Sequence, residues 1–421
     1  MRRSQLALAL CYLTSNAAAM ELVAHRGGVS GVNSFIPEHS YAAYAMGAAN
    51  GAAVIEPDVV STKDGVMMVM HGNELSGTSD VADKFPDRYT TKSILGSTKS
   101  GYFSEDFLWS EIQTLRLKSR NYKGQGSIDG IYGFLTFDEM LDYASTLSSQ
   151  VSGRANSLGV YPETKLAPYF RSLGLPLEEK VVESLALHHY CAYDTSTPPR
   201  CLVSLADASS ASGRAWLQSF YDDSLKILYG LTDIPLFLLA TGDLQDDFAK
   251  GDVLKDIKAY GASGVSLPVS VPETSSTFNH SNFEKTVAHC NDLGLIVHAW
   301  TGDTSVPLYE YVEQNGVAAL FTNNVPFAVG SMSAESLCED VVPDDDVPSD
   351  DVPSDPVVCG DCDDDGGFGS SRLEWLVRFG TLALGVAAGY CWGSKQQPRK
   401  MCEDEKDQVN LRLLNVANRS A

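Results

Sequence analysis

Short apolar runs alternate along the chain with longer segments in which apolar residues recur at helical spacing. The strand-like runs are 22–24, 54–59, 67–70, 159–161, 201–205, 225–229, 264–267, 295–300 and 318–322, and the helix-like segments are 41–50, 137–146, 177–189, 213–220, 253–260, 283–293 and 308–315. Such alternation, repeated about eight times, is typical of one parallel α/β unit. It predicts a (β/α)₈ TIM barrel over residues 20–337. An open doubly wound sheet is the alternative, although no G-x-G-x-x-G motif follows the first strand.

One long segment, 72–133, interrupts this alternation. The segment is polar and rich in aromatic residues. A loop of that length in a compact domain is usually functional or independently folded. We predict that it is an insertion that caps the active face of the barrel.

The composition changes after residue 337. Twelve acidic residues lie between 338 and 367, where there is no Lys or Arg. Such a segment cannot bury enough apolar surface to fold, so 338–371 is predicted to be an acidic disordered linker. Because the rest of the chain is also net acidic, it offers no basic surface for nucleic acid, and that class of partner is excluded.

Two apolar segments predict the secretory pathway and a membrane. Residues 1–19 combine a basic start, a short apolar stretch and small residues, which is the pattern of a cleaved signal peptide. Residues 372–394 contain an uncharged run, 379–394, and a short polar tail follows at 395–421. The favoured interpretation is a single-pass C-terminal helix with an extracellular or luminal catalytic domain, and an interfacial or docking helix is the alternative.

Cysteine spacing is informative in such a compartment, where thiols can pair. Cys191 and Cys201 flank a short polar segment and are predicted to form a disulfide. Cys359 and Cys362 form a C-x-x-C motif, but no second pair or His cluster follows it. A zinc site is therefore not expected there.

The first candidate for chemistry is a pair of carboxylates inside an apolar run. Glu56 and Asp58 lie two residues apart within 54–60, and side chains at that spacing share one face of a strand. Two such close negative charges repel unless a proton or a cation lies between them. His71 ends the next apolar run after a tight turn, which returns it to the carboxylates. The alternative is a half-exposed acidic pair at a solvated edge.

Other polar residues also follow predicted strands, where barrel active sites are built. Glu163 and Lys165 follow one strand, and His25 and Arg26 follow the first, before a Gly27-Gly28 pair that we expect to let a ligand approach the backbone. Oxygen ligands without Cys favour Mg²⁺ or Ca²⁺ over zinc. Arg and Lys beside such an ion suit a phosphate group.

These motifs together resemble those of a known family. His25-Arg26-Gly27, Pro37-Glu38-His39-Ser40, Glu56-Pro57-Asp58, Thr62-Lys63-Asp64-Gly65, His71 and Glu163-Thr164-Lys165 look like the signature set of the glycerophosphodiester phosphodiesterases, and the insertion is similar to that of the secreted, periplasmic-type branch. The resemblance implies a (β/α)₈ barrel that hydrolyses glycerophosphodiesters, such as glycerophosphocholine, to sn-glycerol 3-phosphate and an alcohol. The implied roles are binding of a divalent cation, often Ca²⁺, by Glu56, Asp58 and Glu163, acid–base catalysis by His25 and His71, phosphate binding by Arg26 and Lys165, and a substrate contact from Trp300.

Some features leave alternatives open. Glu38 is either a helix-start acid or an active-site carboxylate, and an Asn stands near the end of the last strand, at 323–324, where the family pattern has Asp. Another barrel phosphodiesterase that acts on lipids, similar to phospholipase C or sphingomyelinase D, is a second functional reading. A membrane-tethered binding module without activity is the third.

Overall fold

The computed structural model describes residues 20–29, 34–120, 128–150, 158–194, 200–203, 214–241, 245–269, 279–302 and 306–331. The predicted signal peptide at 1–19, the acidic linker at 338–371, the apolar helix at 372–394 and the tail at 395–421 lie outside these residues. Their assignments stay predictions.

Strands and helices alternate through the described residues. The strands are β1 Glu21–His25, β2 Val54–Glu56, β3 Asp58–Ser61, β4 Met67–Val69, β5 Thr90–Ile94, β6 Ser97–Gly101, β7 Gly159–Val160, β8 Glu163–Thr164, β9 Ala192–Asp194, β10 Arg200–Leu202, β11 Leu217–Ser219, β12 Leu236–Leu239, β13 Gly264–Pro268, β14 Ile296–Gly302 and β15 Ala319–Thr322. The helices are α1 Tyr41–Ala49, α2 Val81–Lys84, α3 Trp109–Ile112, α4 Phe137–Gln150, α5 Ala167–Ser172, α6 Glu178–Leu187, α7 Asp222–Leu231, α8 Gln245–Phe248, α9 Asp252–Ala259, α10 His280–Leu293, α11 Val306–Gln314 and α12 Val325–Ser331, with 3₁₀ turns at Pro86–Arg88 and Ser104–Asp106.

Parallel strands close into a ring, which confirms the predicted (β/α)₈ barrel over the open sheet. Consecutive segments β2 and β3 act as one barrel strand, and so do β7 and β8, because β2 pairs with β7 and β3 pairs with β8. From β8 the pairing continues through β11, β12, β13, β14 and β15 and returns to β1 and β2. All of these pairs are parallel, and β4 joins the same sheet antiparallel to β3.

Side chains on the barrel strands alternate between two buried surroundings. On β1, Leu22 and Ala24 belong to the large core between strands and helices, whereas Val23 belongs to a cluster inside the barrel. The two glycines after β1 lie where helices pack against the outside of the barrel. Gly27 and Gly28 have φ values of 100° and 71°, and an added Cβ would collide with helix α1 or with α12. The lack of a Cβ at these positions thus allows the helices to pack closely, and the expectation that a ligand approaches this backbone stays a prediction.

Three predicted elements between 200 and 240 differ from the structure, and one barrel strand in this range was missed. The run 201–205 is predicted as a strand of the barrel, but β10 pairs with β9 in a small antiparallel ribbon separate from the barrel sheet. The segment 213–220 is predicted as a helix and contains the barrel strand β11, whereas 225–229 is predicted as a strand and lies in α7. Short apolar runs do not distinguish helix from strand, and the barrel closes through β11 and the missed strand β12 instead.

The described parts of the segment 72–133, which are 72–120 and 128–133, fold around an apolar cluster. Phe103, Phe107 and Ile112 are buried in it, together with Met68 and Met70 at the edge of the barrel. An exposed hairpin of β5 and β6 projects from this part of the chain. The insertion is thus a small packed unit and not an irregular loop.

Two further predictions concern the periphery. Cys191 and Cys201 form the predicted disulfide, with their Cα atoms 5.5 Å apart. In the described ranges, no helix combines the length and apolar character that crossing a bilayer requires.

Candidate active site

Three carboxylates meet where the barrel strands end. Glu56 ends β2, Asp58 begins β3, and Glu163 begins β8 directly beside Asp58 in the strand register. One oxygen of each lies within 4.8 Å of the others, and all three residues are buried. The convergence of Glu56 and Asp58 that their spacing predicted is confirmed. Glu163 joins them although it lies more than 100 positions further along the chain.

Burial and mutual repulsion give the three carboxyl groups different proton affinities. Burial, with the charges of Asp58 and Glu163, raises the pKa of Glu56 well above its usual value. Burial likewise raises the pKa of Glu163 to about 7, against the opposing effect of Lys165. Burial alone would raise the pKa of Asp58 too, but the Lys165 ammonium and a hydrogen bond from His39 hold it well below its usual range. Asp58 therefore carries the fixed negative charge of the cluster.

Two cations lie against these carboxylates. The Nζ atom of Lys165 is 2.8 Å from Glu163 Oε2 and 3.2 Å from Asp58 Oδ1, and although burial opposes it, these two charges raise the pKa of Lys165. Arg26 follows β1 with a left-handed φ of 54°, and its backbone N–H donates to Glu56 Oε2 at 2.9 Å. The Lys165 ammonium and the Arg26 backbone thus both contact the acidic cluster.

The two predicted histidines line the same pocket. His25 ends β1, and His71 follows β4 on the antiparallel return. Burial and the neighbouring Arg26 lower the pKa of His25 to about 3, and burial and Lys165 lower the pKa of His71. His25 Nδ1 lies 2.6 Å from Asn323 Oδ1 and donates to it, because an amide oxygen only accepts. The Asn noted in the sequence thus orients a predicted catalytic residue.

Two further residues of the sequence motifs, to which no role was assigned, lie near the acidic cluster. His39, buried and with φ 58°, donates from Nε2 to Asp58 Oδ2 at 2.9 Å, while its Nδ1 is hydrogen-bonded to the Tyr44 hydroxyl at 2.8 Å. Glu38 is also buried, and its Oε2 is 3.5 Å from Arg26. Ser40 is the residue that caps α1, and Glu38 contacts Arg26 without lining the pocket.

The pocket has one charged and one apolar wall. Trp300 lines it as the resemblance implied, with its ring 5.7 Å from that of Phe220 in an edge-to-face contact. Gln218 was missed, because its strand was predicted as a helix. The residues that line the pocket are His25, Arg26, Glu56, His71, Glu163, Lys165, Gln218, Phe220, Leu239, Trp300, Thr301 and Phe321.

The sequence model of the glycerophosphoryl diester phosphodiesterase family matches residues 25–326, which include every residue of this site. The chain belongs to this family. The secreted branch of the family stays a prediction.

Individual relatives agree with this membership. A glycerophosphodiester phosphodiesterase of Arabidopsis thaliana is 32% identical over 225 residues, covering 52% of this chain and 55% of the relative. The corresponding enzyme of Haemophilus influenzae is 26% identical over 217 residues, covering 49% of this chain and 50% of the relative. The matches thus span about half the length of these relatives.

A solved structure supports the fold. A Silicibacter pomeroyi protein assigned as a glycerophosphoryl diester phosphodiesterase superposes with a TM-score of 0.52 at 19% identity, over 77% of this chain and 96% of that one. At this identity the likeness concerns the barrel alone.

The acidic cluster fits a divalent cation. Three buried carboxylates with converging oxygens would repel each other strongly without positive charge between them. Hard oxygen ligands of this kind suit Mg²⁺ and Ca²⁺. Glu56, Asp58 and Glu163 are the residues that would hold the ion.

Proposed function

We propose that this family member hydrolyses glycerophosphodiesters, such as glycerophosphocholine, to sn-glycerol 3-phosphate and an alcohol, and that it depends on Ca²⁺ or Mg²⁺. The observation that carries the proposal is the meeting of His25 and His71 with the carboxylate cluster in one pocket. A bound cation would supply Lewis-acid stabilisation of the phosphoryl oxygens. Arg26 and Lys165 would bind the same phosphate through charge-assisted hydrogen bonds.

The histidines divide the proton transfers between them. We assign the two transfers to His25, which the hydrogen bond from its Nδ1 to Asn323 orients, and to His71, with one acting as base and the other as acid. The oxygen of a water molecule, or of the glycerol 2-hydroxyl, bonds to phosphorus as one histidine takes its proton. The bond from phosphorus to the alcohol oxygen breaks, and the other histidine, which the negative charge of the bound phosphodiester would help to protonate, gives its proton to that oxygen. Attack by the 2-hydroxyl forms a cyclic phosphate, which water then opens to sn-glycerol 3-phosphate in a second displacement with the two histidines in exchanged roles. Trp300 and Phe220 form the apolar wall against which the substrate packs.

The test is hydrolysis of a panel of glycerophosphodiesters by protein treated with chelator. We expect no product until Ca²⁺ or Mg²⁺ is added back, and release of sn-glycerol 3-phosphate afterwards. Lysophosphatidylcholine, phosphatidylinositol and sphingomyelin belong in the same panel. If only these lipids were hydrolysed, the second reading, a barrel phosphodiesterase that acts on lipids, would replace the proposed function. If no substrate were hydrolysed at any metal concentration, the remaining reading would be the binding module without activity.

We also propose that the protein enters the secretory pathway and is held at a membrane. The support is the composition of 1–19 and 372–394 alone. Extraction of cell membranes at high pH should leave the full chain in the pellet, and a chain ending at residue 371 in the soluble fraction. Recovery of the full chain in the soluble fraction would contradict the anchor.

A further inference from the structure

One buried carboxylate lies between two arginines from distant parts of the chain. Glu38 precedes α1 and is 5% exposed. Its Oε1 accepts from Arg120 Nη2 at 2.8 Å, and its Oε2 is 3.5 Å from Arg26 Nη1. Arg26 belongs to the proposed phosphate site, whereas Arg120 belongs to the insertion at 72–133. Glu38 therefore links the insertion to the phosphate-binding arginine.

Arg120 is the closer partner of Glu38, and a neighbouring contact holds this part of the chain in position. The preceding residue, Ser119, donates from its hydroxyl to the backbone oxygen of Ser34 at 2.6 Å, so this end of the insertion is docked on the segment that contains Glu38. Arg120 is one-third exposed and does not line the pocket. Glu38 is therefore the contact through which Arg120 reaches Arg26.

Arg26 is held loosely by comparison. Its Nε is 3.7 Å from Asp58 Oδ2, and in the part of the chain that the structure describes this buried N–H has no hydrogen-bond partner. A guanidinium forms its strongest contacts as a two-pronged pair with a carboxylate or a phosphate. Among the described residues Arg26 makes neither pair, and its buried Nε–H is left to bind a phosphate.

We propose that Arg120 is a positioning residue that keeps Arg26 available by neutralising Glu38, an inference that rests on the proposed function. Without Arg120, the Oε1 of buried Glu38 would lack a partner, and an unpaired buried charge draws in the nearest cation. Arg26 is that cation, 3.5 Å away. The resulting two-pronged pair would compete with the phosphate of the substrate for the same N–H groups.

The experiment compares Arg120→Gln with the wild-type protein in steady-state hydrolysis of glycerophosphocholine. We expect KM to rise about tenfold, as for one weakened charge-assisted contact, with kcat changed less. Binding of inorganic phosphate to the metal-loaded protein, measured by calorimetry, should weaken by the same factor. Arg120→Lys should recover part of both, because it restores the charge. Arg116→Gln is the matched control, since Arg116 Nη1 bonds only to backbone oxygens of the insertion, at Gln113 and Leu115.

A second variant separates positioning from simple docking of the insertion. In Glu38→Gln/Arg120→Gln the buried group is neutral and no longer draws Arg26, so phosphate affinity should return to within about threefold of the wild type. A double variant as weak as Arg120→Gln, or weaker, would overturn the proposal in favour of a docking role. Unchanged phosphate affinity in Arg120→Gln would overturn it as well. The phosphate measurement does not need turnover, so these outcomes stay distinct from a wild-type protein that hydrolyses nothing.

Discussion

The interior of the barrel has two layers of opposite character on the same strands. In the upper layer, Glu56 and Glu163 meet charged partners around an open pocket. Two residues earlier on the same strands, Val54 and Tyr161 are fully buried in an aromatic cluster. A step of two residues along a strand is only about 7 Å. The lower layer is apolar and closely packed, and it holds the strands in place. The upper layer, only that distance away, carries the like charges.

The histidines show the same contrast. His298, in the lower layer, stacks on Phe237 with ring centroids 4.0 Å apart and is hydrogen-bonded to the Tyr161 hydroxyl at 3.0 Å. His25, in the upper layer, lines the pocket and faces phosphate-binding groups. Burial lowers the pKa of both to about 3. The same shift thus belongs to a structural residue in one layer and to a proposed catalytic residue in the other.

The largest expected effect is a loss of activity when a residue of the upper layer is replaced. His71→Ala should lower kcat by ~10²–10⁴-fold, the usual contribution of an acid–base group, without lowering the melting temperature. The control is His188→Ala, since His188 lies beside Asp142 on the outer helices. A His71→Ala protein with near-normal turnover would remove this residue from the mechanism.

The next effect is on stability and belongs to the lower layer. Phe237→Ala should lower the free energy of unfolding by ~3–5 kcal/mol, because it leaves a cavity among packed rings. Turnover per folded molecule should stay within about threefold of the wild type. Urea unfolding measures the first quantity, and Leu187→Ala, at a site 68% exposed, is the control that should change little. An equal loss of activity per folded molecule would show that the layers are not separable.

The smallest effect is a pH dependence carried by His298. Burial and then Arg214 lower the pKa of His298 to about 3, while its unfolded value is about 6.5. Between these values the unfolded chain binds the extra proton, so stability is full above pH 6.5 and falls as the pH falls towards 3. From pH 7 to pH 5 this group should cost about 2 kcal/mol. His298→Gln should reduce the loss of unfolding free energy over that range by this amount, and an unchanged loss would place the acid sensitivity elsewhere.

Much of the upper layer could be predicted because its signals are local. Glu56-x-Asp58 and Glu163-x-Lys165 each give a shared strand face from two residues, and the strand–helix alternation was enough for the barrel. The middle of the barrel could not be predicted. The run containing Leu225 and Leu228 has strand-like composition, but their spacing of three buries both on one face of α7. Contacts such as Asn323 with His25, or Arg120 with Glu38, join residues far apart in sequence, and spacing gives no information about them.

The claim on which the account depends is that Glu56, Asp58 and Glu163 hold one divalent cation between them. Calorimetric titration of chelator-treated protein with Ca²⁺ and with Mg²⁺ tests it most directly. We predict one ion per chain for the wild type, and a strong loss of affinity in Glu56→Gln and Glu163→Gln, with each variant still folded. Binding that is unchanged in both variants, or no binding by the wild type, would contradict the account.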